Sequence, residues 1–186
     1  MFKLNQKPAL SVFFAFLLLA VGSIGFAQSN GKGAGDKELR GTVQNFFSRL
    51  KSQKYSELYD FLPSELQKQT TREQLTTSLK RLESSLTIER LEIGRVQQHS
   101  DLAVVDTTIY GSLKRAMNMN GEQVNEGRIA VQQYLLKEGG QWKLVTADNR
   151  AKDFFLKRNP NFKQQFQLTQ PQFAFKQAGK WTPLGK

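Results

Sequence analysis

The chain has 186 residues, with 27 Lys and Arg against 16 Asp and Glu, one His and no Cys, for a formal net charge of +11. Without cysteine, a disulfide framework, a thiolate metal site, a cysteine nucleophile and a lipid-modified N-terminal cysteine are all excluded. One histidine cannot build a multi-histidine metal centre, so neither a metal nor another cofactor is expected. Apolar residues at 39% and charged residues at 23% suit a folded soluble protein and are too apolar for wholesale disorder.

Residues 1–27 read as an export signal. Lys3 and Lys7 form a short positive region, Val12 to Val21 is an unbroken apolar run, and Gly25-Phe26-Ala27 is a small-residue cleavage pattern that leaves Gln28 as the new N-terminus. The competing reading is an uncleaved membrane anchor, because the stretch from Ala9 to Ala27 approaches the ~20 residues of a spanning helix. The expectation is an exported protein, periplasmic or secreted. Residues 28–35 have linker composition; Lys32 is followed by Gly33, so the glycines there are not a phosphate loop.

Segment 36–150 holds 17 basic and 15 acidic residues, a balance of only +2, whereas segment 151–186 holds 7 basic residues and one acidic, Asp153, a balance of +6. The basic character belongs to the tail. A nucleic-acid module carries its cations on the folded face that meets phosphate, so no nucleic-acid partner is expected; anionic lipid or an acidic wall polymer suits the tail better.

In the 36–150 segment, Asp36 is a candidate N-cap, and Leu39, Val43, Phe46, Phe47 and Leu50 recur at helical spacing. A short second helix carries Tyr55, Leu58, Tyr59 and Leu62 and stops at Pro63. Thr71 with Gln74 three residues on predicts a capping box opening a third helix through Leu75, Leu79, Leu82 and Leu86. Ile88, Leu91, Ile93 and Val96 then suggest a strand with one irregularity. Two further strands follow, Leu102–Tyr110 and Arg128–Leu136, separated by a polar loop with Asn118, Asn120 and Gly121; Glu138-Gly139-Gly140 turns the chain into Gln141–Thr146. Helices first and antiparallel strands last make an α+β order, N-terminal helices packed on an antiparallel sheet.

The first helix around Val43-Gln-Asn-Phe-Phe47, the run Tyr55-Ser-Glu-Leu-Tyr-Asp-Phe-Leu62 before a proline, and the hairpin Tyr134-Leu-Leu-Lys-Glu-Gly-Gly-Gln-Trp-Lys-Leu-Val145 together carry a family likeness. Residues 36–150 resemble the nuclear-transport-factor-2-like superfamily, also called ketosteroid-isomerase-like, with its cystatin-like cone. The resemblance implies a curved sheet wrapped round a long helix, with a pocket at the open end of the cone, and allows a homodimer paired through the sheet. It spans isomerases, dehydratases, cyclases, transport adaptors and non-catalytic binding domains.

His99-Ser100-Asp101 has the letters of a serine triad, but three neighbours in a turn cannot converge as that chemistry needs. Asn118-Met-Asn120-Gly121-Glu122 lacks the carboxylates of a calcium loop. Asp106 lies in an apolar strand in register with Val104, Thr108 and Tyr110. A carboxylate there could act as a proton-transfer base with a tyrosine; alternatively it faces solvent or pairs with an arginine across the sheet. Tyr59, Asp106, Tyr110 and Trp142 are the candidate pocket residues, while most aromatics at these spacings belong to the core.

The tail contains Phe154, Phe155, Phe162, Phe166, Phe173, Phe175 and Trp181, and its Lys176-Gln-Ala-Gly-Lys-Trp181 echoes Lys137-Glu-Gly-Gly-Gln-Trp142, which suggests a hairpin around 172–182. Either these aromatics dock on the domain, or with Lys157, Arg158, Lys163, Lys176, Lys180 and Trp181 they form a surface for lipid or wall polymer. The functional expectation is an exported, non-catalytic domain that binds a small apolar molecule or an envelope protein at the open end of the cone. The alternatives are an isomerase- or dehydratase-like enzyme using Asp106 with a tyrosine, and an envelope-adhesion module acting through the tail.

Overall fold

A computed structural model describes residues 33–119, 121–145 and 149–184. The expected export signal at 1–27, linker residues 28–32 and Asn120 lie outside the described residues.

Helix α1, Ala34–Lys51, begins one turn earlier than the sequence suggests: Gly33 is its N-cap, and Asp36 sits in the first turn. There Asp36 accepts from Arg40 Nε at 3.0 Å, and the positive end of the helix dipole favours its charge. The apolar stripe of α1 is buried, with Leu39 and Val43 fully enclosed. A broken segment follows: α2 (Tyr55–Leu58), a 3₁₀ turn (Tyr59–Phe61) and α3 (Ser64–Gln67). Helix α4, Arg72–Glu83, opens on the capping box, Thr71 accepting from Gln74 N and Gln74 accepting from Thr71 N at 2.9 Å. It ends before Leu86, which starts the sheet.

Strands β1 (Leu86–His99), β2 (Leu102–Met119), β3 (Glu122–Glu138) and β4 (Gln141–Val145) form an antiparallel meander. Register shifts at Ile88/Arg90, Ile93/Val96 and Ser112/Met117 bend the long strands, and the sheet curls strongly. At one shift Gly111 is required by close approach: a Cβ there would lie 2.4 Å from the Thr87 carbonyl oxygen. Helices α5 (Asn149–Arg158) and α6 (Phe162–Gln165) follow, then the hairpin β5 (Gln172–Gln177) and β6 (Lys180–Pro183). Strands β4 and β5 pair with the same edge of β3, β4 along Tyr134–Glu138 and β5 along Gly127–Ala130.

Period-two alternation splits the side chains between two cores. One face of the sheet, with Ala103, Val105, Leu135, Trp142 and Leu144, packs on α1 and α2. The opposite face, with Val104, Tyr134 and Val145, packs on Leu62, Leu66, Phe155, Phe162 and Phe166. Phe162 is fully buried and its ring lies 5.0 Å from both Tyr134 and Phe155 and 4.6 Å from Phe166. Each such phenylalanine contributes roughly 1.5–3 kcal/mol by burial, so the C-terminal segment is a structural layer on the far side of the sheet.

Candidate functional site

The four candidate pocket residues occupy separate environments. Trp142 is buried on the α1 face, and its indole N–H donates to Glu38 Oε2 at 3.2 Å. Asp106 and Tyr110 sit on the opposite face, because β2 pairs them with Gln132 and Arg128 in the same alternation that carries Val104 and Tyr134. Tyr59 packs beside the second core, donates to the Gln67 carbonyl at 2.9 Å and lies under the Arg72 guanidinium at 4.6 Å. Asp106 and Tyr110 share a face, and the fold brings no other pair of the four together.

Asp106 is half-buried, with one oxygen hydrogen-bonded and the other in an ion pair. Its Oδ1 accepts from Gln132 Nε2 at 2.9 Å and its Oδ2 faces Arg95 Nε at 3.4 Å. Gln132, 2% exposed, also donates to the Gln167 carbonyl and accepts from Thr169 N, so the network ties the chain after α6 to the sheet. Lys152 of α5 completes it, donating to the Gln132 carbonyl at 3.0 Å with Nζ 4.6 Å from the Tyr134 ring centroid. That carbonyl belongs to the stretch of the β3 edge left between β4 and β5. With a carbonyl, a ring face and no carboxylate among the described residues for company, burial pushes the Lys152 ammonium down to about 8. Burial likewise raises Tyr134. Tyr55 is raised to about 12 by burial and then by the Glu83 carboxylate its hydroxyl donates to.

Tyr110 donates to Glu92 Oε2 at 2.9 Å, which with Arg90 holds the Glu92 carboxyl below its ordinary range. The Arg90 guanidinium lies 3.7 Å above the Tyr110 ring. The Trp181 ring meets Tyr110 edge-on at 5.7 Å, and Arg128 stacks on Trp181 at 4.9 Å.

The tail candidates separate into two groups. Arg158 pairs with Glu65 of α3 at 3.0 Å, while Lys157 and Lys163 are exposed on α5 and α6. Lys176, Lys180 and Trp181 lie on the β5–β6 hairpin, Lys176 pairing with Glu126 at 2.9 Å. The sequence echo has a geometric counterpart. Gly139-Gly140 and Ala178-Gly179 both take positive φ, and each turn sets a Lys opposite a Trp, Lys137 with Trp142 and Lys176 with Trp181. One indole enters the core and the other lies on the opposite face.

Two small cavities open among the described residues. One of about 190 Å³ lies between Pro63, Leu66, Leu136, Phe154, Phe155 and Arg158; the other, about 120 Å³, lies between Leu50, Tyr55, Leu79, Glu83 and Lys114. Both fall short of the roughly 300–1,000 Å³ of a ligand site. The face beneath α1 is filled by Phe46, Phe47, Trp142, Leu135 and Leu144. Among the described residues no three His, Asp or Glu side chains converge as metal ligands, and no helix is long and apolar enough to cross a membrane.

The residues the sequence reading misses are Arg95, Gln132, Lys152, Arg90 and Arg128. Each acquires its neighbours through strand register or through docking of α5, which no local pattern announces.

A family model, MecA_N, described as the NTF2-like N-terminal transpeptidase domain, matches residues 40–145, more than half of the chain. No curated protein matches the chain.

Proposed function

Since the chain belongs to the family of NTF2-like N-terminal transpeptidase domains, we propose that it is a non-catalytic binding module that meets a macromolecular partner through its surface. The family description names these domains by their place at the N-terminus of transpeptidases. In this reading the signal expected at 1–27 delivers the module outside the cytoplasm, where it supplies contact and not chemistry.

The observation that carries the reading is the filled interior: aromatic and leucine side chains occupy the space where a cone pocket would lie, and the two cavities hold about 190 and 120 Å³. The enzymatic alternative has less support. The Asp106 carboxylate is taken up by Arg95 and Gln132, and the Tyr110 hydroxyl by Glu92. A general base and acid need partners free to meet a substrate.

Titration of the full chain with an apolar fluorescent probe tests the reading. The expected result is no saturable site of one probe per chain on the folded protein. A saturable, blue-shifted site weakened by Trp142→Ala in a still-folded variant would point to a ligand cavity under α1 and overturn it.

A further inference from the structure

The face of the sheet turned away from α1 gathers, from four strands, a set of side chains that the reading above leaves unused. Arg90, Tyr110 and Arg128 are consecutive cross-strand neighbours on β1, β2 and β3, and Trp181 reaches them from β6. Cations and rings alternate: guanidinium on phenol at 3.7 Å, phenol against indole at 5.7 Å, indole under guanidinium at 4.9 Å. A guanidinium stacked on a ring keeps its N–H edge free to donate.

What sets this face apart is that its unpaired cations stand beside half-buried aromatic rings. In the helical layer Arg40 pairs with Asp36, Arg49 with Glu57, Lys68 with Glu65 and Arg72 with Asp60, while Lys37, Lys80 and Arg81 make no ion pair among the described residues. On the sheet face Glu92 is taken up by Arg90 and Tyr110, and Glu126 by Lys176. Arg128 makes no ion pair within 4 Å among the described residues, although its charge helps to lower the Glu92 carboxyl, and the exposed Lys180 at the β5–β6 turn makes none either. Trp181 is only half-buried, in contrast to Trp142.

We propose that this face, Arg90, Tyr110, Arg128, Lys180 and Trp181, docks on the surface of an anionic phospholipid bilayer. The proposal deepens the binding-module reading and rests on it. Guanidinium and ammonium groups meet the headgroup phosphates, each basic residue adding to attraction that fades within a Debye length. The indole and phenol, apolar bodies with polar tips, suit the boundary between headgroup and acyl chain. A soluble polyanion would satisfy the cations alone and give the indole no apolar neighbour. The chain also carries the apolar run Val12–Val21, whose expected export or anchoring brings it to a membrane. Lys157 and Lys163, on α5 and α6, belong to a different part of the surface and are left out of the site.

The test uses the full chain and vesicles carrying brominated acyl chains, of phosphatidylcholine alone or mixed with phosphatidylglycerol. The apolar run can bind both kinds, so the readout is emission from Trp181, isolated as the signal lost in Trp181→Phe. The expected result is quenching of Trp181 only by vesicles containing phosphatidylglycerol, abolished at ~1 M salt, where the Debye length is about 3 Å. Replacing two cations of the face, Arg128→Gln with Lys180→Gln, lowers the phosphatidylglycerol-dependent partition on the order of tenfold. Quenching that ignores headgroup charge, or vesicle binding with Trp181 unquenched, overturns the proposal. Binding of soluble polyphosphate that is lost in the Arg128→Gln, Lys180→Gln variant, with no quenching of Trp181 by vesicles containing phosphatidylglycerol, overturns it in favour of a free polyanion. A probe site under α1 would instead refute the binding-module reading, so the two failures are told apart.

Discussion

Lys152 gives the sharpest quantitative prediction. Its ammonium is largely enclosed between α5 and β3, with the Gln132 carbonyl and the Tyr134 ring as neighbours. Folding takes its pKa from the ordinary 10.5 to about 8, a span worth about 3 kcal/mol at about 1.4 kcal/mol per pKa unit. Between those values the folded chain has released the proton while the unfolded chain still holds it. The unfolded state therefore binds more protons, and stability rises with pH through this window. The gain is lost as pH falls from about 10.5 to about 8, and below about 8, where both states hold the proton, the cost of burying the charged form is constant. From about pH 7.5 to about 9.5 the linkage predicts a gain of about 2 kcal/mol in unfolding free energy. Tyr55 and Tyr134, whose pKa values are raised, act in the opposite sense above their ordinary value of 10, so the window below that isolates the lysine. The assay is urea unfolding at a series of pH values, on the native chain and on Lys152→Met. The slope should vanish in the variant, whatever its absolute stability, since that substitution also leaves the Gln132 carbonyl unpaired. A flat profile in the native chain, or an equal slope in both, would refute the burial argument.

The other predictions concern the same packing. Phe162→Ala should destabilise the whole chain by about 3–5 kcal/mol in one cooperative denaturant transition; a separate early loss of the C-terminal segment would show that it is not part of the second core. Gly111→Ala forces a Cβ against the Thr87 carbonyl and should lower the thermal midpoint, whereas the same change at the uncrowded Gly41 in α1 should raise it through helix propensity. Ala178 takes φ 45°, so Ala178→Gly should stabilise by about 0.5 kcal/mol, read by differential denaturation; a loss of stability would mean that this turn is not strained. Thr71→Ala removes half of the capping box and should cost about 1 kcal/mol, with the loss of helix visible in the far-ultraviolet.

The parts of the fold legible from sequence are those specified over a few residues. The Thr71–Gln74 box, the α1 stripe and the Gly139-Gly140 turn are written at fixed spacings, and the NTF2-like likeness is carried by the latter two together with the run Tyr55–Leu62. Boundaries set by partners were not legible. Leu86 continues the leucine spacing of α4, yet Ser84 and Ser85 end that helix and Leu86 pairs with Leu113. Strand β2 runs past Tyr110 to Met119, because the Ser112/Met117 shift breaks the alternation that would have revealed it. In the candidate site, the shared face of Asp106 and Tyr110 follows from period two, but which face that is depends on what packs there. The helices α5 and α6 cover one end of it with Phe155, Phe162 and Phe166, and the pairing of Arg95 with Asp106 follows from a register shift in β1.

The measurement that bears most directly on the central claim, a binding module with a filled interior, is a native mass spectrum of the full chain purified from its own cells. The account predicts the mass of the polypeptide with no stoichiometric small molecule retained. A defined non-covalent adduct of one molecule per chain, released on unfolding, would place a ligand where the side chains beneath α1 leave no room and would contradict it.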